Sequence, residues 1–429
     1  MTLPQPDPTP GETSWFTHDR FGLFLHWGLY ALGARHEWLK NQERMDDERY
    51  RRYFTHFDPD LYDPERWAQA ASEAGMKYFV ITTKHHEGFC LWDSALTDYK
   101  ATNTPAKRDL LRPMVNAFRG RDMKVGFYHS LIDWHHPDFT VDGMHPQRDS
   151  PDRETLNEGR EMSRYAEYLH GQMRELLTSF GKIDVLWTDF SYAEKGREAW
   201  QSEKLYALIR ELQPHVVLND RLNLDSGWDI KTPEQFQPRE WVRFNGKPVV
   251  WEACQTFSGS WGYHRDESSW KSVELLVQML IDTVSKGGNL LLNVGPTGRG
   301  EFDQRALDRL EGIGQWMKRH SRSIYGCTQA PAEIGAAPTD CRYTYNPTTN
   351  RLYVHVLAWP FGQLYLPNLA GRVAYAQLLN DASEVLMKDI EPWQHDHAGE
   401  AADAKSTLSL RLPIQKPDVA VPVIELFLK

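Results

Sequence analysis

Short apolar runs recur along the first three quarters of the chain, and each closes on a polar or aromatic residue. The runs are Phe21–His26, Tyr78–Thr83, Lys124–His129, Ile183–Asp189, Val216–Asn219, Val249–Trp251 and Asn289–Val294. Continuous apolarity over such short lengths reads as strands buried on both faces. Helical patterns lie between them, best formed at Pro64–Gly75, Asn157–Gly181, Arg197–Leu212, Ser268–Ser285 and Asp303–His320. The first of these opens on proline and stops at glycine, as helices commonly do. Alternating strands and helices predict a parallel sheet, and this many repeats suit an irregular (β/α)8-like, TIM-type barrel better than an open sheet. An eighth strand is expected near Asp225–Lys231, where the pattern is poor.

After Ser321 the texture changes. Arg342–Tyr345 and Arg351–Leu357 flank a turn at Asn346–Asn350, and Val373–Leu379, Leu408–Leu412 and Val421–Leu428 follow without an intervening helix. Short strands separated by turns predict a C-terminal antiparallel β-sandwich. The expected division is a catalytic barrel over residues 1–325 and a sandwich over 326–429.

Composition narrows the function. A formal charge of −10 argues against nucleic acid or an anionic membrane as the main partner. Sixteen tryptophans and eighteen tyrosines supply flat faces that suit sugar rings, although most large aromatics in any protein belong to its core. No uncharged stretch approaches the ~20 residues that span a bilayer. Cys90, Cys254, Cys327 and Cys341 are widely spaced and form no CxxC pair, which disfavours a structural zinc or a disulfide framework. Together with a first segment unlike a signal peptide, this predicts a cytoplasmic protein. Whether it is a homo-oligomer is left open.

Chemistry concentrates where strands end, which in a parallel barrel is the active-site rim. His26 ends the first run, beside Trp27 and Gly28, and Glu37-Trp38 follow in the first rim loop. His85 and His86 end the second, Tyr128-His129-Ser130 the third, and Trp187-Thr188-Asp189 the fourth. Adjacent histidines face opposite sides of a regular strand, so both reach one pocket only where the strand has ended. No metal-ligand spacing surrounds them, so imidazoles hydrogen-bonded to sugar hydroxyls fit better than ligands. A carboxylate at Asp189 requires solvation or a partner, because burying it bare costs several kcal/mol. Arg221 ends the next run. Glu234, in a loop, and Glu252, at the apparent end of Val249–Trp251, are the two candidates to complement Asp189. Glycoside hydrolysis needs such a pair, one acid for the departing oxygen and one carboxylate facing the anomeric carbon. An inverting glycosidase, a sugar-binding module without turnover and a metal-dependent hydrolase remain as alternatives.

The segments FGLFLHWG, HEW, KHHEGF, GFYHS-LIDW, LWTDF, NDR, TPEQF, WEACQTFSGSWGY and GGNLLLNVGPTGRG occur in this order. Over residues 14–320 the chain resembles the α-L-fucosidases of glycoside hydrolase family 29. The resemblance implies an irregular barrel with a β-sandwich and retaining hydrolysis of terminal α-L-fucosyl groups from fucosylated glycoconjugates, with neither cofactor nor metal. It implies Asp189 as nucleophile, Glu234 as acid/base with Glu252 as the alternative, and His26, Glu37, Trp38, His85, His86, Tyr128, Trp187 and Arg221 as sugar-binding groups. Glu234 would then need a raised pKa to hold its proton between steps. Weak activity on sugars of galactose configuration is expected, because an apolar methyl pocket rejects an added hydroxyl only modestly. The rim loops Ser191–Gly196 and Asp138–Pro151 are expected to set leaving-group preference.

Overall fold

The apolar runs assemble into one parallel sheet. In the computed structural model, which describes residues 3–389 and 406–429, the strands are β1 (Phe21–Leu25), β2 (Tyr78–Lys84), β3 (Lys124–Ser130), β4 (Val185–Asp189) and β5 (Val217–Leu218), followed by a small hairpin, β6 (Arg243–Phe244) and β7 (Lys247–Pro248), then β8 (Glu252–Thr256) and β9 (Asn289–Val294). The sheet order is β5-β4-β3-β2-β1-β9-β8. Alternate residues serve two cores. Phe24, Tyr78, Val80, Tyr128, Val185, Trp187, Val217 and Leu291 pack together inside the curl. Their neighbours Leu23, Leu25, Phe79, Ile81, Phe127, Leu186, Leu290 and Leu292 pack outward with the helices. This is the two-residue period of a strand buried on both faces.

The gap between β5 and β8 is closed without a regular strand. Residues 229–234 run between them, with single bridges pairing Asn219 with Ile230, Lys231 with Trp251 and Glu234 with Cys254. Asp229 N–H donates to Leu218 O at 2.8 Å, Lys231 N–H to Val250 O at 3.0 Å, and Cys254 N–H to Pro233 O at 3.1 Å. Pro233 has no N–H to give, which is why the ladder stays broken. The eighth strand position therefore falls slightly later than the expected Asp225–Lys231, and Glu234 lies on the closing segment rather than in a free loop.

A second correction concerns Val249–Trp251. The strand there is β8, which begins at Glu252 and runs through the more polar Gln255 and Thr256. Glu252 thus opens a strand instead of ending one, opposite Asn289 at the start of β9. Helix predictions held with trimmed ends. Asp63, Ser272 and Asp303 cap the helices Pro64–Glu73, Val273–Ser285 and Gln304–His320 through their side chains. The expected Arg197–Leu212 helix is broken by Gln201, at φ +48°, into Arg197–Trp200 and Ser202–Leu212. Among the described residues no helix is long and apolar enough to cross a membrane.

The C-terminal strands are β10 (Cys341–Asn346), β11 (Arg351–Val356), β12 (Gln363–Leu366), β13 (Val373–Leu378), β14 (Leu386–Asp389), β15 (Leu408–Arg411) and β16 (Val423–Leu428). They form two antiparallel sheets, β10-β11-β16-β13 and β12-β15-β14, around their own core. The expected sandwich also includes residues 390–405, which lie outside the described residues. Trp316, on the last barrel helix, joins the two parts by donating its indole N–H to Val421 O at 2.8 Å.

Candidate active site

One pocket of about 130 Å³ opens at the C-terminal ends of the barrel strands. It collects ten of the eleven residues singled out from the sequence: His26, Glu37, Trp38, His85, His86, Tyr128, Trp187, Asp189, Arg221 and Glu234. Strand alternation puts Trp187 and Asp189, two apart on β4, on the same inner face. Tyr128 on β3 is in register with Trp187, and its hydroxyl donates to Asp189 Oδ2 at 2.7 Å.

Arg221 organises the acidic groups. Its Nη1 donates to Asp189 Oδ1 at 2.7 Å, while its Nη2 lies 2.8 Å from Glu234 Oε2. Thr232, on the closing segment, steadies the guanidinium by accepting from Nε at 3.1 Å, and the cation lies 5.1 Å from the Trp187 ring centroid. Burial works against the Arg221 charge, but Asp189, Cys254 and Glu234 outweigh it and hold the guanidinium protonated. Burial, reinforced by the Asp189 charge, lifts the Tyr128 hydroxyl well above its usual range, so it remains a donor.

His26 and His86 are held as neutral acceptors. His26 Nδ1 lies 2.7 Å from Asn293 Oδ1, which can only accept, so Nδ1 carries the proton and Nε2 offers a lone pair. His86 Nδ1 lies 2.7 Å from Ser130 Oγ, whose own hydroxyl donates to Ile132 O at 2.8 Å, which fixes the same tautomer. Burial pushes both imidazoles well below the ordinary histidine pKa. His85 stacks against Tyr128 at 5.7 Å between ring centroids, and Trp38 meets His86 edge-on at 5.1 Å. Glu37 is buried, accepting from Gly262 N–H at 2.7 Å through Oε2. Such a set of acceptors, donors and ring faces around one small cavity matches a polyhydroxylated ring.

Glu252 is the eleventh residue, and it lies outside the pocket. It is fully buried in the barrel, accepting from Trp187 Nε1 at 3.0 Å and from the Tyr78 hydroxyl. Burial raises its pKa to about 7 against the pull of those two hydrogen bonds. It supports the Trp187 indole from beneath. His129 also points away from the pocket, with Nδ1 3.0 Å from Thr83 Oγ1 on the helix side of the sheet.

Four lining residues escaped the sequence reading: Phe24, Phe190, Cys254 and Trp261. Phe24 precedes His26 by two, so strand alternation alone would have placed it on the inner face. Trp261 lies in the SWGY segment and packs 5.1 Å from the His26 ring and 5.8 Å from Phe24. The two rim loops are tied together, since Asp142 accepts from Tyr192 at 2.5 Å and pairs with Lys195. Among the described residues no group of three or more histidine, cysteine or acidic side chains is arranged to hold a metal ion.

Comparison with known proteins gives this geometry its context. The α-L-fucosidase family model matches residues 8–322. Plasma α-L-fucosidase of Homo sapiens is 31% identical over 384 residues, covering 82% of this chain and 78% of that protein. The structure of α-L-fucosidase isoenzyme 1 from Paenibacillus thiaminolyticus is similar with a TM-score of 0.91 at 46% identity, covering 97% of this chain and 98% of that one. A family 29 enzyme from Bacteroides thetaiotaomicron, at 27% identity and TM-score 0.83 over 99% of this chain and 98% of that one, is known as a covalent intermediate trapped with 2-fluoro-fucosyl fluoride in a glutamate-to-glutamine variant. With its matching barrel, its β-rich C-terminal part and a family match over most of its length, the chain belongs to the α-L-fucosidases of glycoside hydrolase family 29, retaining enzymes that release terminal α-L-fucosyl residues through a covalent fucosyl-enzyme.

Proposed function

We propose that Asp189 is the nucleophile of this α-L-fucosidase and Glu234 its general acid/base. Asp189 attacks the anomeric carbon while Glu234 protonates the departing glycosidic oxygen. In the second step Glu234 takes a proton from water as that water displaces Asp189, and the anomeric configuration is restored. The observation that carries this reading is the single guanidinium of Arg221 touching both carboxylates inside the sugar-sized pocket. A shared fork keeps the two acids close, which fits the ~5–5.5 Å separation of a retaining pair better than the ~6.5–9.5 Å of an inverting one. The side-chain exposures support the division of roles, at 13% for Asp189 and 39% for Glu234. The nucleophile sits deep against the ring, and the acid stands toward the mouth where the leaving group exits.

The surrounding groups have roles that follow from their chemistry. Arg221 and Tyr128 donate to Asp189, orienting it for attack and stabilising its returning charge when the intermediate breaks down. His26, His85, His86, Glu37 and Trp38 hold the sugar hydroxyls. Phe24 and Trp261 form an apolar wall suited to the fucose methyl group. Four buried thiols with no disulfide fit a reducing compartment, consistent with a cytoplasmic enzyme, which cell fractionation would test.

Azide rescue tests the two roles. Small anions should restore turnover to Asp189→Gly by attacking from the vacated side, giving a fucosyl azide of inverted configuration. In Glu234→Ala azide should intercept the intermediate and give the retained product. Exchange of these two outcomes, or rescue of neither variant, would reject the assignment.

A further inference from the structure

Glu87, three residues past the end of β2, is a carboxylate that the mechanism above does not use. It is 1% exposed, and among the described residues neither of its oxygens has a hydrogen-bond partner. His85 stands beside it, with Nδ1 3.7 Å from Glu87 Oε2. His85 Nδ1 is likewise buried and without a hydrogen-bond partner. The backbone is built to allow this approach. Gly88, at φ +88°, turns the chain sharply after Glu87, and at Gly28 an added Cβ would lie 2.9 Å from Glu87 Oε1.

The other two pocket histidines show what His85 lacks. His26 and His86 each donate a hydrogen bond from Nδ1–H to an oxygen of the protein, Asn293 Oδ1 and Ser130 Oγ, which leaves the lone pair on Nε2. For His85 the oxygen in the equivalent place belongs to Glu87. We propose that Glu87 is a positioning residue that acts through His85, accepting a hydrogen bond from its Nδ1–H so that Nε2 presents a lone pair to a sugar hydroxyl. A separation of 3.7 Å exceeds a formed hydrogen bond, but site hydrogen bonds in free enzymes are often long and tighten when substrate tilts the ring. The phenols nearby stay protonated beside Glu87. Burial, then the Glu87 charge, pushes the Tyr30 and Tyr50 hydroxyls far above their ordinary range, and Tyr30 is engaged with Thr82 at 3.3 Å.

A purely structural role fits poorly. A buried carboxylate without hydrogen bonds destabilises a fold relative to an apolar side chain of the same size. Retained for function, it should show the opposite signs in stability and activity. The inference rests on His85 belonging to the sugar site, and the experiment separates the two. kcat, KM and Tm are measured on an aryl α-L-fucoside for Glu87→Met, Glu87→Gln, His85→Ala and the double variant His85→Ala/Glu87→Met. The expected result is a Tm for Glu87→Met at or above wild type with kcat/KM lower by about 10–100-fold, the range of a lost charge-assisted hydrogen bond. Glu87→Gln, which keeps an acceptor oxygen, should recover most of that loss. The double variant should be no worse than His85→Ala, because two residues acting as one unit do not add. Wild-type kcat/KM in Glu87→Met with an impaired His85→Ala would overturn this inference alone, as would multiplying losses in the double variant or a Tm that falls with activity. Undiminished activity in His85→Ala would instead remove the sugar-site reading beneath it.

Discussion

Asp189 and Glu234 share one guanidinium: Arg221 reaches Asp189 Oδ1 at 2.7 Å with Nη1 and Glu234 Oε2 at 2.8 Å with Nη2. They are 45 positions apart in sequence (234 − 189), and only the end of β4 and the barrel-closing segment bring them together. The forked, planar cation meets both acids with two N–H groups of fixed direction, a geometry that a lysine ammonium does not supply. Arg221→Lys should therefore lower kcat/KM by about 10–100-fold although charge is conserved. Steady-state kinetics on an aryl fucoside checks this, and a lysine enzyme with wild-type turnover would show that the shared contact is incidental.

The structure separates Glu234 from Glu252 by place, and kinetics should separate them by function. Loss of general acid assistance costs ~10²–10⁴-fold, chiefly on substrates whose leaving group is a poor one. Glu234→Ala should show that loss on a natural disaccharide and far less on an aryl fucoside with an acidic phenol. Glu252→Gln should show neither pattern.

Glu252 should reveal itself in stability instead. Its folded pKa of about 7 stands above the model-compound value of 4.5, so the folded state binds the proton more tightly between those limits. That contribution is complete below pH 4.5 and is lost as pH rises through 7, up to roughly 3 kcal/mol. Glu252→Gln, with no charge to bury, should gain stability relative to wild type on going from pH 5 to pH 8. Denaturant melts at the two values measure it, and a difference independent of pH would contradict the assignment.

These residues also show how far the sequence can be read. His26, His85, His86, Tyr128 and Asp189 were legible because each sits at or next to the end of an apolar run, where a polar residue has no reason to be unless a pocket receives it. Phe24 was equally accessible through its two-residue spacing from His26. The closing segment was not legible, because Lys231, Thr232, Pro233, Glu234 and Gln235 carry none of the apolarity of a strand, and the proline forbids a full ladder. Glu252 was misplaced for a related reason: Gln255 and Thr256 hid the true extent of β8, and Val249–Trp251 stood in for it. The helix Asp47–His56 escaped because it buries only Tyr50 and Tyr53 along its ten residues.

The wall formed by Phe24 and Trp261 should govern how well fucose is told from its galactose-configured counterpart. Burial of one methyl group in an apolar pocket discriminates by about 10–200-fold. Trp261→Ala should raise KM for the aryl fucoside and narrow the ratio of kcat/KM between the two sugars by about tenfold. An unchanged ratio would place the methyl group elsewhere.

Acid should loosen the junction between the barrel and the sandwich. His320 and His355 are both fully buried there, and burial lowers their pKa values from 6.5 to about 4 and about 3. His355 Nε2 lies 2.9 Å from Thr344 Oγ1, which itself donates to Ser323 O at 2.7 Å. The unfolded chain takes up these protons first, so stability is full above pH 6.5 and falls as pH drops toward 4, by about 3 kcal/mol for such a histidine. His355→Leu should show a shallower decline of Tm between pH 7 and pH 4.5. A slope equal to wild type would mean that His355 does not titrate on unfolding in that window.

The most direct test is to find where the sugar becomes attached. The Glu234→Gln variant, treated with 2-fluoro-fucosyl fluoride and digested, should carry the added mass on the peptide containing Leu186–Phe190, with the fragment spectrum placing it on Asp189. A label on any other side chain, or turnover of the reagent without a covalent adduct, would contradict a nucleophilic Asp189 opposed by Glu234.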